Sequence, residues 1–201
     1  MHDDGVTRRR LLGVGSGIAT AALAGCVGAR RDPNYTPPTE APQEAGGGGT
    51  GGAGDASGGP DRVSSARVAM TATSDGSQVF DPDLVWLEPG GTITWFIESG
   101  THSATAYAPA NDKPNRIPEG AEAWDSGILT EQGAEFSHTF DAEGVYDYYC
   151  LPHEALGMVG TVVVGEPSAA NQPGLAPPQS SLPGGAAAEI ERLNAAVSGQ
   201  L

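Results

Sequence analysis

Short segments in which apolar and polar residues alternate recur through the middle of the chain, between about residues 66 and 165. The alternation has a period of two and no helical repeat accompanies it, so the pattern predicts strands. Regular short strands separated by Gly, Pro and Asp are typical of an all-β sandwich. The predicted strands are 66–73, 84–87, 92–97, 103–108, 135–140, 145–149 and 159–164.

Two kinds of interruption complete the pattern. Glycines within 88–91 and 141–144 predict tight turns, and the three prolines of 108–124 predict a longer loop. Near the end of the chain, Ile190, Leu193 and Val197 stand at helical spacing, which allows a short helix over 186–201. A helix of that length is marginal without packing, so a frayed tail with no role is the favoured interpretation.

The residues that could form a core are concentrated in one part of the chain. All three Trp, all four Phe and four of the five Tyr lie within 66–165, whereas 41–60 and 166–185 offer almost nothing to bury. Such segments cannot offset the entropy of ordering and are expected to be flexible. We therefore predict a Gly/Pro-rich linker over 26–65, one domain over 66–165 and a low-complexity tail over 166–201.

The first 25 residues have the features of a signal peptide. A cluster of arginines, Arg8 to Arg10, precedes about fifteen small and apolar residues and the sequence Leu-Ala-Gly-Cys26. The arginines resemble a twin-arginine export signal, and the last four residues resemble a lipobox. These features predict that Cys26 is lipidated and anchors the protein at the outer, extracellular face of the cytoplasmic membrane. The alternative is a plain secretory signal that is cut nearby.

The net charge of the chain limits the classes of molecule that it could bind. Asp plus Glu outnumber Lys plus Arg 25 to 10, and the net charge is −15, with Lys113 the one lysine. Nucleic acid is a very poor partner for such a surface. Abundant acidic residues and scarce lysine favour a halophile's protein, which stays soluble in concentrated salt. An acidic extracellular protein from an ordinary environment is the alternative.

The residues that carry chemistry lie between Cys150 and Met158. Cys150, His153 and Met158 place a thiolate, an imidazole and a thioether within nine residues, on a loop between two predicted strands. These soft donors together select copper, whereas zinc usually recruits four stronger ligands. With a second imidazole, the set is that of a type 1 (blue) copper site.

The second imidazole is chosen from the chain's four histidines. His2 leaves with the signal peptide, and His138 alternates with Phe136 and Phe140, which indicates a core-facing, hydrogen-bonded histidine. His102 follows a predicted turn at one end of the sandwich, where a neighbouring loop could meet it. His102 is therefore expected to complete the site.

The Cys-x2-His-x4-Met loop, its flanking strands and the upstream histidine together resemble the cupredoxins, and within them plastocyanin and the halocyanins of halophilic archaea. The resemblance covers about 66–165 and implies a Greek-key sandwich of about eight strands that binds one copper. It implies that His102 and His153 supply ring nitrogens, Cys150 a short thiolate bond and Met158 a weak axial sulfur. Plastocyanin has Pro and Asn where this chain has Thr101 and Ser103, so the outer hydrogen bonds cannot be transferred.

These features predict an electron carrier that alternates between Cu(I) and Cu(II), with membrane redox proteins as donor and acceptor and no small-molecule substrate. We expect a monomer. We also expect no enzymatic activity, because a nitrite reductase or multicopper oxidase needs a second, substrate-binding copper with its own histidines. A copper delivery or storage protein at the cell surface is the alternative. The resemblance implies that electrons pass through His153, while Tyr149 is either a second route or, more simply, part of strand packing. The apolar residues expected around His153 are Leu151, Pro152, Ala155 and Leu156.

Overall fold

The computed structural model describes residues 60–201. Within them lie seven strands and one α-helix, and none of these residues forms a helix long and apolar enough to cross a membrane. The signal peptide, Cys26 and the linker up to residue 59 lie outside the described residues. The strands are β1 (Val63–Ala72), β2 (Gln78–Asp81), β3 (Leu84–Ile97), β4 (Thr105–Ala106), β5 (Glu135–Phe140), β6 (Gly144–Tyr149) and β7 (Val159–Val164), and the helix is α1 (Gly184–Ser198).

The strands pair in the order β2-β1-β3-β7-β6-β4, with β5 also paired to β3. β3 changes partners along its length. Residues 84–87 pair with β7, residues 92–97 pair with β1, and residues 91–96 pair with β5. The change falls at 88–91, where Gly90 has a φ of 79°. The all-β class is confirmed, but the expected turn at 88–91 is a bend within one long strand. β2 was missed, because its four residues carry too short an alternation to recognise.

The core between the strands is aromatic. Trp95 packs against Trp124, Phe136, Phe140 and Tyr148, with ring centroids 5.2 to 6.4 Å apart. Cys150 and Met158 belong to the same buried cluster. Two of the four expected ligands are therefore positioned by the main core.

The C-terminal segment contradicts the expected frayed tail. Ala186, Ile190, Leu193 and Val197 are fully buried on one face of α1. Three of them join a cluster with Tyr107, Tyr149 and Val159, which lie on or beside the sheet. Burying an aliphatic side chain contributes about 1.5–3 kcal/mol, so packing on the sheet supplies the stability that a short isolated helix lacks. The segment 166–183 also contacts the rest of the domain. Gly174 is buried, and its carbonyl accepts a hydrogen bond from Arg116.

Candidate metal centre

Three metal-binding atoms from separate segments meet at one end of the sandwich. Cys150 directly follows β6, His153 lies in a 3₁₀ helix (Leu151–Leu156), and His102 bridges to Leu129 outside the named strands. The Cys150 Sγ lies 3.6 Å from the His102 Nδ1 and 3.4 Å from the His153 Nδ1, and the two Nδ1 atoms are 3.2 Å apart. The structure thus brings together three of the four expected ligands through their donor atoms.

The spacing of these atoms fits a bound cation. A point equidistant from all three lies about 2.0 Å from each, close to the length of a metal–imidazole bond, about 2.0–2.1 Å. Burial lowers the pKa of both His102 and His153, which favours the neutral, metal-binding imidazole. These three donor atoms could therefore hold a metal ion, and a donor set of one thiolate and two imidazoles suits copper.

A hydrogen bond to the backbone fixes the orientation of the His102 ring. Its Nε2 lies 2.9 Å from the carbonyl oxygen of Ser99, so Nε2 carries the proton and donates it, which leaves the Nδ1 lone pair free for the metal. Gly100 makes this contact feasible, because a Cβ at that position would lie 2.9 Å from the Nε2.

Gly100→Ala is therefore expected to displace His102 and weaken copper binding by roughly 10–100-fold, the usual cost of losing an outer hydrogen bond to a ligand. Gly120→Ala is the matched control, since Gly120 has a similar φ of 79° but nothing within 4 Å of the new Cβ. Both variants carry backbone strain of about 1–2 kcal/mol. Competition with a copper chelator measures the affinity, and equal affinities for the two variants would contradict this role of Gly100.

The thiol of Cys150 is fully buried and receives one backbone hydrogen bond. The N–H of Ser103 donates to Sγ at 3.4 Å. Burial raises the pKa of Cys150, so the thiolate needs a nearby positive charge to form. A metal ion provides that charge, because metal binding releases the thiol proton.

Met158 is held next to the other ligands by the backbone. The Cys150 N–H donates to the Met158 carbonyl at 3.0 Å, and the Met158 N–H donates to the His153 carbonyl at 3.2 Å. Gly157, with a φ of 90°, ends the 3₁₀ helix and turns the chain into β7. Met158 is 1% exposed, so its thioether is buried.

Comparison with known proteins identifies the architecture around these residues. The family model of copper-binding proteins of the plastocyanin/azurin family matches residues 66–165. A plastocyanin from Scenedesmus fuscus is 33% identical over 92 residues, which make up 44% of this chain and 89% of that protein. The chain belongs to the plastocyanin/azurin family. Its cofactor is one copper ion, and the family membership implies a copper-binding electron-transfer protein.

Two further relatives support the assignment of this chain to the cupredoxins. A halocyanin from Natronomonas pharaonis is 33% identical over 99 residues, or 48% of this chain, and the matched segment spans 55% of the halocyanin. The crystal structure of a pseudoazurin from Methylobacterium extorquens AM1 aligns with a TM-score of 0.52 and 29% identity, covering 66% of this chain and 98% of that one. The cupredoxin-like sandwich that the ligand loop indicated is thus confirmed.

The surface of this cupredoxin above the site is apolar. His153 is half-buried, while His102 is fully buried, so His153 is the imidazole nearer to solvent. Leu151 and Leu156 are 42% and 70% exposed, and Pro152 and Ala155 are exposed as well. We call these four residues the apolar rim.

Tyr149 is closed off from solvent. It is 1% exposed and stacks on Tyr107 with ring centroids 4.5 Å apart, in the cluster that α1 completes. Burial raises its pKa to about 12. Packing is therefore the role that the structure supports for Tyr149.

His138 lies away from the ligands. It stacks on Trp124, with centroids 4.7 Å apart, and meets Phe140 edge-on. It is half-exposed, and within residues 60–201 its ring makes no hydrogen bond, so the expected hydrogen bond is not found.

One ion pair at the site could not be predicted from the sequence. Lys113, from the long loop, places its Nζ 2.5 Å from an Oε of Glu154, which directly follows His153. The same Nζ lies 4.9 Å from the centre of the Tyr149 ring. The pair connects the 108–124 loop to the 3₁₀ helix that contains His153. Its partners are 41 residues apart in the sequence, so no local pattern could reveal it.

Proposed function

We propose that this protein is a single-electron carrier with one type 1 copper held by His102, Cys150, His153 and Met158. The observation that carries the proposal is the convergence of the Cys150 sulfur and the Nδ1 atoms of His102 and His153 around one point, with His153 half-buried next to the apolar rim. Bound copper supplies a one-electron Cu(I)/Cu(II) couple. The protein positions the ligands and provides the surface through which electrons enter and leave.

The ligands are held in place before any electron arrives. The Ser99 carbonyl fixes His102, the Ser103 N–H fixes the Cys150 sulfur, and backbone hydrogen bonds join Cys150, His153 and Met158. The ligands on the core side cannot move without disturbing packed strands. Such a site favours fast transfer, because little rearrangement accompanies a change of oxidation state.

Electrons are proposed to enter and leave through His153, with the apolar rim as the contact surface. Leu156 is the most exposed large apolar side chain among the described residues. In concentrated salt the screening length is only about 3 Å, so apolar contact rather than long-range charge would decide docking.

Leu156→Lys should therefore slow electron exchange between reduced and oxidised copies by about tenfold, equivalent to about 1.4 kcal/mol, and leave the visible spectrum unchanged. Val63→Lys is the matched control. Val63 is an exposed apolar residue whose partner, Leu87, pairs with Val164, at the end of β7 remote from Met158. NMR line broadening in mixtures of the two oxidation states gives the rate. An unchanged rate in Leu156→Lys would count against the rim as the contact surface.

We propose no enzymatic role for the chain by itself. A nitrite reductase or a multicopper oxidase needs a second, substrate-binding copper with its own histidines. Among residues 60–201, the His, Cys and acidic side chains form one candidate metal cluster, and His138 is the only other histidine. Its stacking on Trp124 suits a structural role.

We further propose that the carrier is a monomer tethered through a lipidated Cys26 to the outer face of the cytoplasmic membrane of a halophile. The arginine cluster, the Leu-Ala-Gly-Cys sequence and the acidic composition support this location. Its donor and acceptor would be redox proteins of the same membrane. Mass spectrometry of the protein purified from membranes tests the tether, since an unmodified Cys26 would contradict it.

A further inference from the structure

A chain of hydrogen bonds leads from the ligand loop to a carboxylate on the surface. The Leu151 N–H donates to the Ser103 Oγ at 2.8 Å, and the Ser103 and Thr105 hydroxyl oxygens are 3.1 Å apart. The Thr105 hydroxyl then donates to the Asp125 Oδ1 at 2.8 Å. Ser103 and Thr105 are buried, whereas Asp125 is exposed.

The chain has only one consistent direction. A carboxylate only accepts hydrogen bonds, so the Thr105 hydroxyl must be the donor in its hydrogen bond to Asp125. The Thr105 oxygen is then free to accept from Ser103, whose own oxygen accepts the Leu151 N–H. Each bond polarises the next in such a series, and a charge at one end strengthens the whole.

One end of this hydrogen-bond chain lies at the metal centre. Ser103 directly follows His102, and its N–H donates to the Cys150 sulfur. Leu151 directly follows Cys150, so the Ser103 hydroxyl joins the two ligand segments. Asp125 also accepts the Gly127 N–H at 2.9 Å, which fixes the carboxylate beside Thr105.

We propose that Ser103, Thr105 and Asp125 form a positioning relay through which a surface carboxylate helps to set the reduction potential of the copper. The proposal rests on the proposed electron-carrier function. A negative charge that is linked to the ligand loop favours the more positive oxidation state, Cu(II), and so lowers the potential. The relay also holds the segments of His102 and Cys150 in register.

Two variants separate the charge from the hydrogen bonds. Asp125→Asn keeps an oxygen acceptor for Thr105 and Gly127 but removes the charge, so the potential should rise with little change in the visible spectrum. Thr105→Val keeps the shape and breaks the chain, so both the potential and the position of the thiolate-to-copper band should shift. The Asp125→Asn shift should shrink in the double variant, because the two residues act in series.

Thr94→Val is the control, because it removes a similar hydroxyl contact, 2.8 Å from Ser137, on β3 and β5. Potentials come from redox titration of the copper-loaded, full-length protein, and thermal unfolding reports stability. Additive shifts in the double variant would show that the charge acts through space and would overturn the relay. Unchanged potentials in both single variants would also overturn it. A wild-type protein that forms no blue copper site would instead refute the underlying function. If Thr105→Val fails to fold, an unmoved potential in Asp125→Asn alone still rejects the relay.

Discussion

Cys150→Ser is expected to abolish the intense visible band of the copper-loaded protein. The band arises from charge transfer between the thiolate and Cu(II), and a serine hydroxyl is a harder donor that stays protonated. Copper affinity should also fall by more than the roughly 10–100-fold that the loss of an outer hydrogen bond costs. Absorption spectra and chelator competition on the purified variant measure both effects.

The fold of this variant should survive, because serine nearly matches the volume of the fully buried cysteine. His138→Gln is the control, since His138 stacks on Trp124 away from the ligands. It should retain the wild-type band. A blue band that persists in Cys150→Ser would show that Cys150 is not the thiolate ligand.

Arg116→Met is expected to destabilise the protein by about 3–5 kcal/mol, the usual cost of removing one partner of a buried ion pair. Arg116 and Asp147 are both fully buried, with the Arg116 Nε 2.7 Å from the Asp147 Oδ2. Arg116 also donates to the Gly174 carbonyl and, at 3.3 Å, to Gln179. It thus joins the 108–124 loop, β6 and the C-terminal segment. Urea unfolding measures the loss.

The loss should depend on pH. Burial raises the pKa of Asp147 to about 6, although Arg116 and Thr161 both favour its charged form. A carboxyl whose folded pKa lies above its unfolded value costs stability as the pH rises through the folded value. Arg116 offsets part of that cost, and its removal should raise the pKa of Asp147 further. The deficit of the variant should therefore be smallest at and below about pH 6 and should grow as the pH rises above 6.

Two further variants test this account. Arg116→Met combined with Asp147→Asn should recover part of the lost stability, because no charge is then left buried alone. Arg67→Met removes an exposed pair with Glu135, whose side chains are 57% and 49% exposed, and should cost about 1 kcal/mol or less. A deficit for Arg116→Met no larger than that of Arg67→Met would contradict the structural role of the buried pair.

The features that could be predicted from the sequence are those encoded locally. Cys150, His153 and Met158 lie within nine residues, and most strands alternate clearly enough to be recognised one by one. His102 required elimination among the histidines, yet its Nδ1 meets the other donor atoms. Local chemistry therefore indicated the metal centre before any contact was known.

The missed features depend on contacts between distant segments. The helical spacing of Ile190, Leu193 and Val197 was visible, but only their packing near Tyr149 makes α1 stable. The partners of the Arg116–Asp147 pair lie 31 residues apart, in a loop and a strand. The sequence shows Ser103 where plastocyanin has asparagine. The hydrogen bonds of Ser103 to Leu151 and Thr105 are visible only in the structure.

Repeated reduction and reoxidation of the copper-loaded protein in the presence of a copper chelator tests the central claim most directly. A carrier with one type 1 site should bind one copper per chain, lose its blue band on reduction and regain it fully in each cycle. Copper that is colourless, or that passes to the chelator within the first cycles, would contradict the proposed carrier and favour copper delivery or storage.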